Sequence, residues 1–143
     1  MKLPAKVNYA LRATLELAAR YKGEVPISIE IISKAQKIPK NFLTQLLIRL
    51  KSADIVVSHR GVSGGYFLKR HPSQINVADV VKAIDDAIIG SVNQPKASGR
   101  IDANKLISEI WEDVNRAARK RLEELSLESL ALKLRNEQMN YYI

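Results

Sequence analysis

Apolar residues recur at helical spacing along most of the chain, and the places where that period breaks divide it into elements. Val7, Ala10, Leu11, Thr14, Leu17, Ala18 and Tyr21 fall on one stripe at intervals of three and four, which predicts a helix over about Val7–Tyr21. Gly23 and Pro26 stop it. Ser28 is a good N-cap for a short second helix through Lys37, with Ile31, Ile32 and Ala35 facing inward. Beyond the break at Ile38-Pro39 a third helix is expected over about Lys40–Ala53, its inward stripe being Phe42, Leu43, Leu46, Leu47 and Leu50. The period then changes. Ile55-Val56-Val57-Ser58 is β-branched and short, Tyr66-Phe67-Leu68 is aromatic-rich, and the glycine-rich run between them makes the pair read as a hairpin. Asn76 caps a fourth helix, with Asp79 placed to complete a capping box and with Val77, Val80, Val81 and Ile84 as its stripe.

Between residues 88 and 100 no period survives, and Gly90, Ser91, Asn93, Pro95, Ser98 and Gly99 crowd the segment as in a linker. From Asp102 to about Leu125 the helical period returns through Leu106, Ile107, Ile110, Trp111, Val114, Ala117, Ala118, Leu122 and Leu125. Such a helix is roughly 35 Å long, more than a small domain covers by itself. Ser126 caps a last short helix expected over Leu127–Asn136. The fold class read from this order is mainly α with a small β-hairpin wing: a winged helix-turn-helix followed by a long C-terminal dimerisation helix. The expected division is a winged helix-turn-helix domain over 1–87, a flexible linker loop over 88–100 and dimerisation helices over 101–143. Leu106, Ile107, Ile110, Trp111, Val114 and Ala118 are the expected homodimer contacts.

Charge sharpens this picture. The net charge of the 143-residue chain is +8, but residues 1–74 hold 13 Lys/Arg against 4 Asp/Glu, whereas residues 75–143 hold 10 against 11. A basic module joined to a neutral one is the footprint of phosphate binding coupled to partner binding. The chain has no cysteine, which removes disulfides, thiolate metal sites and cysteine nucleophiles together. His59 and His71 lie twelve residues apart with no third ligand type clustered nearby, so neither a metal site nor a catalytic constellation is read and the chain is not expected to be an enzyme. No segment is apolar enough for a membrane span and the N-terminus lacks a secretory signal, so the expected address is the cytoplasm, with no membrane partner.

The chemistry expected of the N-terminal half is recognition of double-stranded DNA. A major groove admits one helix, which must bury one face on a support and offer a polar face to base edges. Opposite its leucines the third helix offers Lys40, Asn41, Thr44, Gln45, Ile48, Arg49 and Ser52. Asn41 and Gln45 are one turn apart and can each bond an adenine edge, Thr44 can meet a base or a thymine methyl, and Lys40 and Arg49 suit phosphates. At the hairpin tip Arg60, beside Gly61 and ahead of Gly64 and Gly65, makes a thin turn with one long cation, a shape suited to a minor groove. Ser58, Ser63 and Tyr66 add hydroxyls for phosphates. The glycines would make a tight hairpin in any case; Arg60 is the residue a turn does not need. A rival reading is a winged-helix module that binds a protein and no specific DNA, which predicts no steep salt dependence in nucleic-acid binding.

These residues also resemble a known family. The runs Lys6-Val7-Asn8-Tyr9-Ala10-Leu11-Arg12-Ala13, Phe42-Leu43-Thr44-Gln45-Leu46-Leu47, Arg60-Gly61-Val62-Ser63-Gly64-Gly65-Tyr66-Phe67-Leu68 and Val77-Ala78-Asp79-Val80-Val81-Lys82-Ala83-Ile84 are similar to the Rrf-two family of bacterial regulators, with its IscR, NsrR and CymR types. The resemblance is close to continuous over the first 87 residues and architectural beyond residue 100. It implies a homodimeric transcriptional regulator, a repressor by expectation, acting on a palindromic operator. It also implies control at the loop before the long helix by a regulatory protein or a small ligand, or no control at all. Cluster-binding members carry three cysteines in that loop; here Ile88–Asn104 has none, and Ser108 stands where a histidine would help, so no iron–sulfur cofactor is expected. Lys37 replaces the family's turn glycine, and Pro39 its serine cap.

Overall fold

Among the described residues, 2–90 and 99–142 of this computed structural model, six α-helices and one hairpin follow in the expected order. They are α1 (Ala5–Ala19), α2 (Ile29–Gln36), α3 (Lys40–Ser52), β1 (Val56–His59), β2 (Gly65–Leu68), α4 (Val77–Ile84), α5 (Ala103–Glu123) and α6 (Leu127–Tyr141). The strands pair antiparallel from Val56 opposite Leu68 to His59 opposite Gly65. Single 3-10 turns at Pro72–Gln74 and Asp86–Ile88 flank α4.

Helix α1 is the axis of the N-terminal lobe, packing against α2, α3, α4, α6 and β2. Its stripe of Val7, Ala10, Ala13, Leu17 and Ala18 is buried, and the one buried polar side chain, Thr14, donates to the carbonyls of Ala10 and Leu11 at 3.0 Å. That local bond is what allows a hydroxyl into the core. Leu43, Leu46, Leu47 and Leu50 of α3 and Val77, Val80, Val81 and Ile84 of α4 complete the same core. Three predicted caps form, that of Ser126 by accepting from the Ser129 amide at 3.0 Å. The Ser28 hydroxyl accepts from the Ile31 amide, and Asn76 and Asp79 close a reciprocal capping box at 2.8 and 3.0 Å.

The C-terminal helices are fastened to this lobe through the backbone. Val77 donates to the Leu125 carbonyl at 2.9 Å and Leu127 to the Ile75 carbonyl at 2.8 Å, so the turn between α5 and α6 is clamped to the start of α4. Leu122, Leu125, Leu130 and Ala131 pack on the core beside it. Along the rest of α5, Leu106, Ile107, Ile110, Trp111 and Val114 are between 46% and 62% exposed, and Ala118 is half-buried.

Several expectations need correction. Ile31 and Ala35 do not face inward; in this two-turn helix Ile32 is buried and Ile29 packs on the core beside it. Phe42 lies at the edge of the α3 stripe, half exposed, its ring edge-on to Tyr9 at 5.7 Å. Helix α6 runs to Tyr141, past Asn136, because no Gly or Pro interrupts the chain after Ser126. Of the loop expected over 88–100, residues 91–98 lie outside the described residues; Ile89 is buried.

Candidate nucleic-acid interface

Helices α2 and α3 are joined by a turn that Lys37 makes in the left-handed region, at φ 53° and ψ 46°. The Lys37 and Ile38 amides both donate to the Ser33 carbonyl, and the Ser33 hydroxyl returns a bond to the Ile38 carbonyl at 2.6 Å. Sequence leaves open whether a lysine at this position takes the left-handed conformation or shifts the turn; the structure has it left-handed. Buried Ile38 then pins the start of α3, whose N-cap, Pro39, offers no side-chain acceptor to the first-turn amides.

With Leu43, Leu46, Leu47 and Leu50 buried, α3 turns its other face outward. Asn41 and Gln45 are exposed and Thr44 is half-buried, its hydroxyl donating to the Lys40 carbonyl at 2.9 Å. The Lys40 ammonium pairs with the Glu30 carboxylate of α2, and that hydrogen bond holds the Glu30 carboxyl below the usual carboxylate range. Arg49 donates from Nη1 to the carbonyl of Ile84 at 2.9 Å, so it caps the C-terminal end of α4. The acceptor is 35 residues away in sequence, which is why the spacing within α3 gave no sign of it.

The wing stands beside this face. Its tip carries exposed Arg60 and Val62. Ser58 receives a bond from the Lys51 ammonium at 2.6 Å, tying the wing to the end of α3. Tyr66 is half-buried on the core, and its backbone exchanges two 2.9 Å hydrogen bonds with Ile27. The glycines have structural work that needs no DNA. Gly61 sits at φ 117°; a Cβ on Gly64 would meet the His59 carbonyl oxygen at 2.4 Å, and one on Gly65 the Ile27 carbonyl oxygen at 2.2 Å. A groove of about 450 Å³ separates the wing from the start of α2, lined by Glu30, Lys51, Ser58, His59 and Arg60 among others. The sequence thus brings Lys40, Asn41, Thr44 and Gln45 onto one face, with Arg60 projecting beside it. Glu30 and Lys51, which share the groove, carry no motif that would single them out.

A helix pair presenting one polar face, flanked by a cationic hairpin and placed on a basic lobe, is the architecture of winged helix-turn-helix transcriptional regulators. The family model Rrf2, described as iron-dependent transcriptional regulator, matches residues 3–133, and the chain belongs to that bacterial family. The IscR regulator of Xenorhabdus nematophila is 34% identical over 130 residues, covering 91% of this chain and 79% of that one. Among solved structures, IscR of T. potens superposes with a TM-score of 0.77 at 28% identity over 96% of this chain and 91% of that one. CymR, the global cysteine regulator of B. subtilis, gives 0.74 at 28% identity over 93% and 98%.

The iron in the family description does not fit this chain. With no cysteine there is no thiolate to hold a cluster, and among the described residues no group of three His, Asp or Glu side chains is gathered as a metal site. Nor is any helix among the described residues long and apolar enough to cross a membrane.

Proposed function

We propose that the chain is a sequence-specific regulator that binds a palindromic operator as a homodimer and represses transcription there. The observation that carries this reading is the exposed polar face of α3, held rigidly by four buried leucines and flanked by the Arg60 wing. Asn41, Thr44 and Gln45 read base edges in the major groove. Lys40, Lys51 and the remaining N–H groups of Arg49 contact phosphates, as does the Tyr66 hydroxyl, and Arg60 enters the adjacent minor groove. Ser58, Gly61, Gly64 and Gly65 shape and hold the wing. The exposed stripe of α5 meets its copy in the partner subunit, which sets the spacing of the two reading helices. Regulation by a protein or a small ligand acts at the junction of lobe and long helix, where Arg119 donates to the Ile89 carbonyl at 2.8 Å.

The test is selection of bound genomic fragments at physiological salt, followed by titrations on the selected operator and on random duplex. Gln45→Ala should cost about 1–3 kcal/mol on the operator and relax one position in each half-site. Lys40→Ala should weaken both DNAs alike and lower the salt slope, by less than the roughly one unit of an unpaired lysine because Glu30 already balances its charge. Equal losses on both DNAs for Gln45→Ala would remove base reading from α3. Wild-type protein without salt-dependent binding to any duplex would leave a protein-interaction module.

A further inference from the structure

The ion pair at the mouth of the interface has a charge pattern that phosphate binding must disturb. Lys40 is the first residue of α3, and that helix start has neither a side-chain cap nor an acidic residue in its first turn. A cation at a helix N-terminus is unfavourably placed with respect to the helix dipole, and first-turn amides without intrahelical acceptors favour an anion. Both features suit a DNA phosphate. In the free protein the anion beside Lys40 is Glu30, whose carboxylate hydrogen-bonds the ammonium while both side chains stay more than half exposed. Glu30 is itself in the first turn of α2, where the helix dipole favours its charge, and the hydrogen bond from Lys40 lowers its carboxyl further below the usual range. It is also one of only 4 acidic residues among the first 74.

We infer that Glu30 is an internal counter-anion that occupies Lys40 in the free protein and must give it up to a DNA phosphate, so that it sets the strength and salt dependence of binding. This rests on the DNA-binding reading above. When α3 seats, Lys40 exchanges a carboxylate for a phosphate and Glu30 is left facing the polyanion. The pair enters binding with no net charge, so Lys40 contributes less counterion release than an isolated lysine would. A lobe this basic would otherwise hold any duplex strongly; Glu30 restrains that sequence-independent attraction at the place where the reading helix enters the groove. The pair is exposed, so the exchange is small enough to be reversible and large enough to measure.

Glu30→Gln keeps the shape of the side chain and removes its charge. The full-length variant should bind operator and random duplex about threefold to tenfold more tightly at physiological salt, and its salt slope should steepen by up to about one unit. In a Lys40→Ala background the same substitution should gain less than about half as much, because the effect passes through Lys40. Glu30→Asp, which retains the charge, should bind within about twofold of wild type. Thermal unfolding checks that each variant is folded. Wild-type affinity and slope in Glu30→Gln would overturn the inference, and so would an equal gain with and without Lys40, which would make Glu30 a diffuse charge only. Failure of the DNA-binding reading looks different, since wild-type protein would then bind no duplex at all.

Discussion

Helices α4 and α5 are built by the same rules and end in opposite conditions. Each starts with an Asx side chain accepting from the amide three residues on: Asn76 from Asp79, and Asp102 from Lys105 at 2.9 Å. Each carries a clear apolar stripe. Yet α4, only eight residues long, has five buried residues, while α5, with 21, has none. Periodicity declares that a face will be covered and says nothing about by what. The lobe covers α4 with its own helices; on α5 it packs against the end near Leu122, while Leu106, Ile107, Ile110, Trp111 and Val114 stay about half exposed. An apolar patch of that length on a folded protein marks an interface, and here it follows a stripe that a second copy of the same helix would match.

The sharpest way to break this contrast is to charge the α5 stripe. Ile110→Glu with Val114→Glu should convert a dimer at micromolar concentration to monomer in sedimentation. Because two half-sites are then no longer bound as a unit, operator affinity should fall by about 100-fold or more. The thermal transition of the lobe should persist, since neither residue touches its core. Wild-type protein sedimenting as a monomer, or a charged variant that still dimerises, would mean that something else covers α5.

The same contrast explains what was legible in the sequence. Caps, turns and stripes depend on residues within four positions of one another, and the caps at Ser28, Asn76 and Ser126, the hairpin and the buried leucines of α3 all follow from local spacing. What escaped depends on distant partners or on depth. The acceptor for Arg49 is on another helix, the partner of Lys40 is on the preceding one, and the outward position of Ile31 reflects how little of a two-turn helix can reach a core. The end of α6 escaped for another reason: a polar run without a breaker carries no stop signal, and the helix continued through it.

A smaller effect is expected where the lobe is tightest. Gly65 lets β2 approach Ile27 so closely that the Ile27–Tyr66 backbone bridge can form on the outer side of the hairpin. Gly65→Ala places a methyl against backbone atoms that cannot swing aside. The expected cost is about 1–3 kcal/mol of folding stability, together with weaker DNA binding, because the wing is displaced from α3. Gly61→Ala meets open space but keeps a strained φ, so it should cost less in stability. If Gly65→Ala unfolds at the same denaturant concentration as wild type, the close approach is not a constraint in solution and the wing is looser than its hydrogen bonds indicate.

The smallest expected effect is a gain, at the turn between the two helices of the reading motif. Lys37 is one of two non-glycine residues with positive φ among the described residues, the other being Asp54. An L-residue with a Cβ in the left-handed region bears roughly 1–2 kcal/mol of steric cost. Glycine removes that cost but gives the unfolded chain more freedom, which takes back roughly 0.5–1 kcal/mol. Lys37→Gly should therefore stabilise the lobe by about 0.5–1 kcal/mol, a rise of a few degrees in melting temperature. Lys37→Ala separates the causes: it removes the same charge but keeps the Cβ, and it should melt within about a degree of wild type. Both variants lose one cation from the basic lobe, so both should bind DNA slightly less tightly at low salt, and by equal amounts. A melting temperature that rises equally in the two would locate the benefit in the lost charge. A fall in Lys37→Gly alone would mean that the Lys37 turn carries no strain that glycine can relieve.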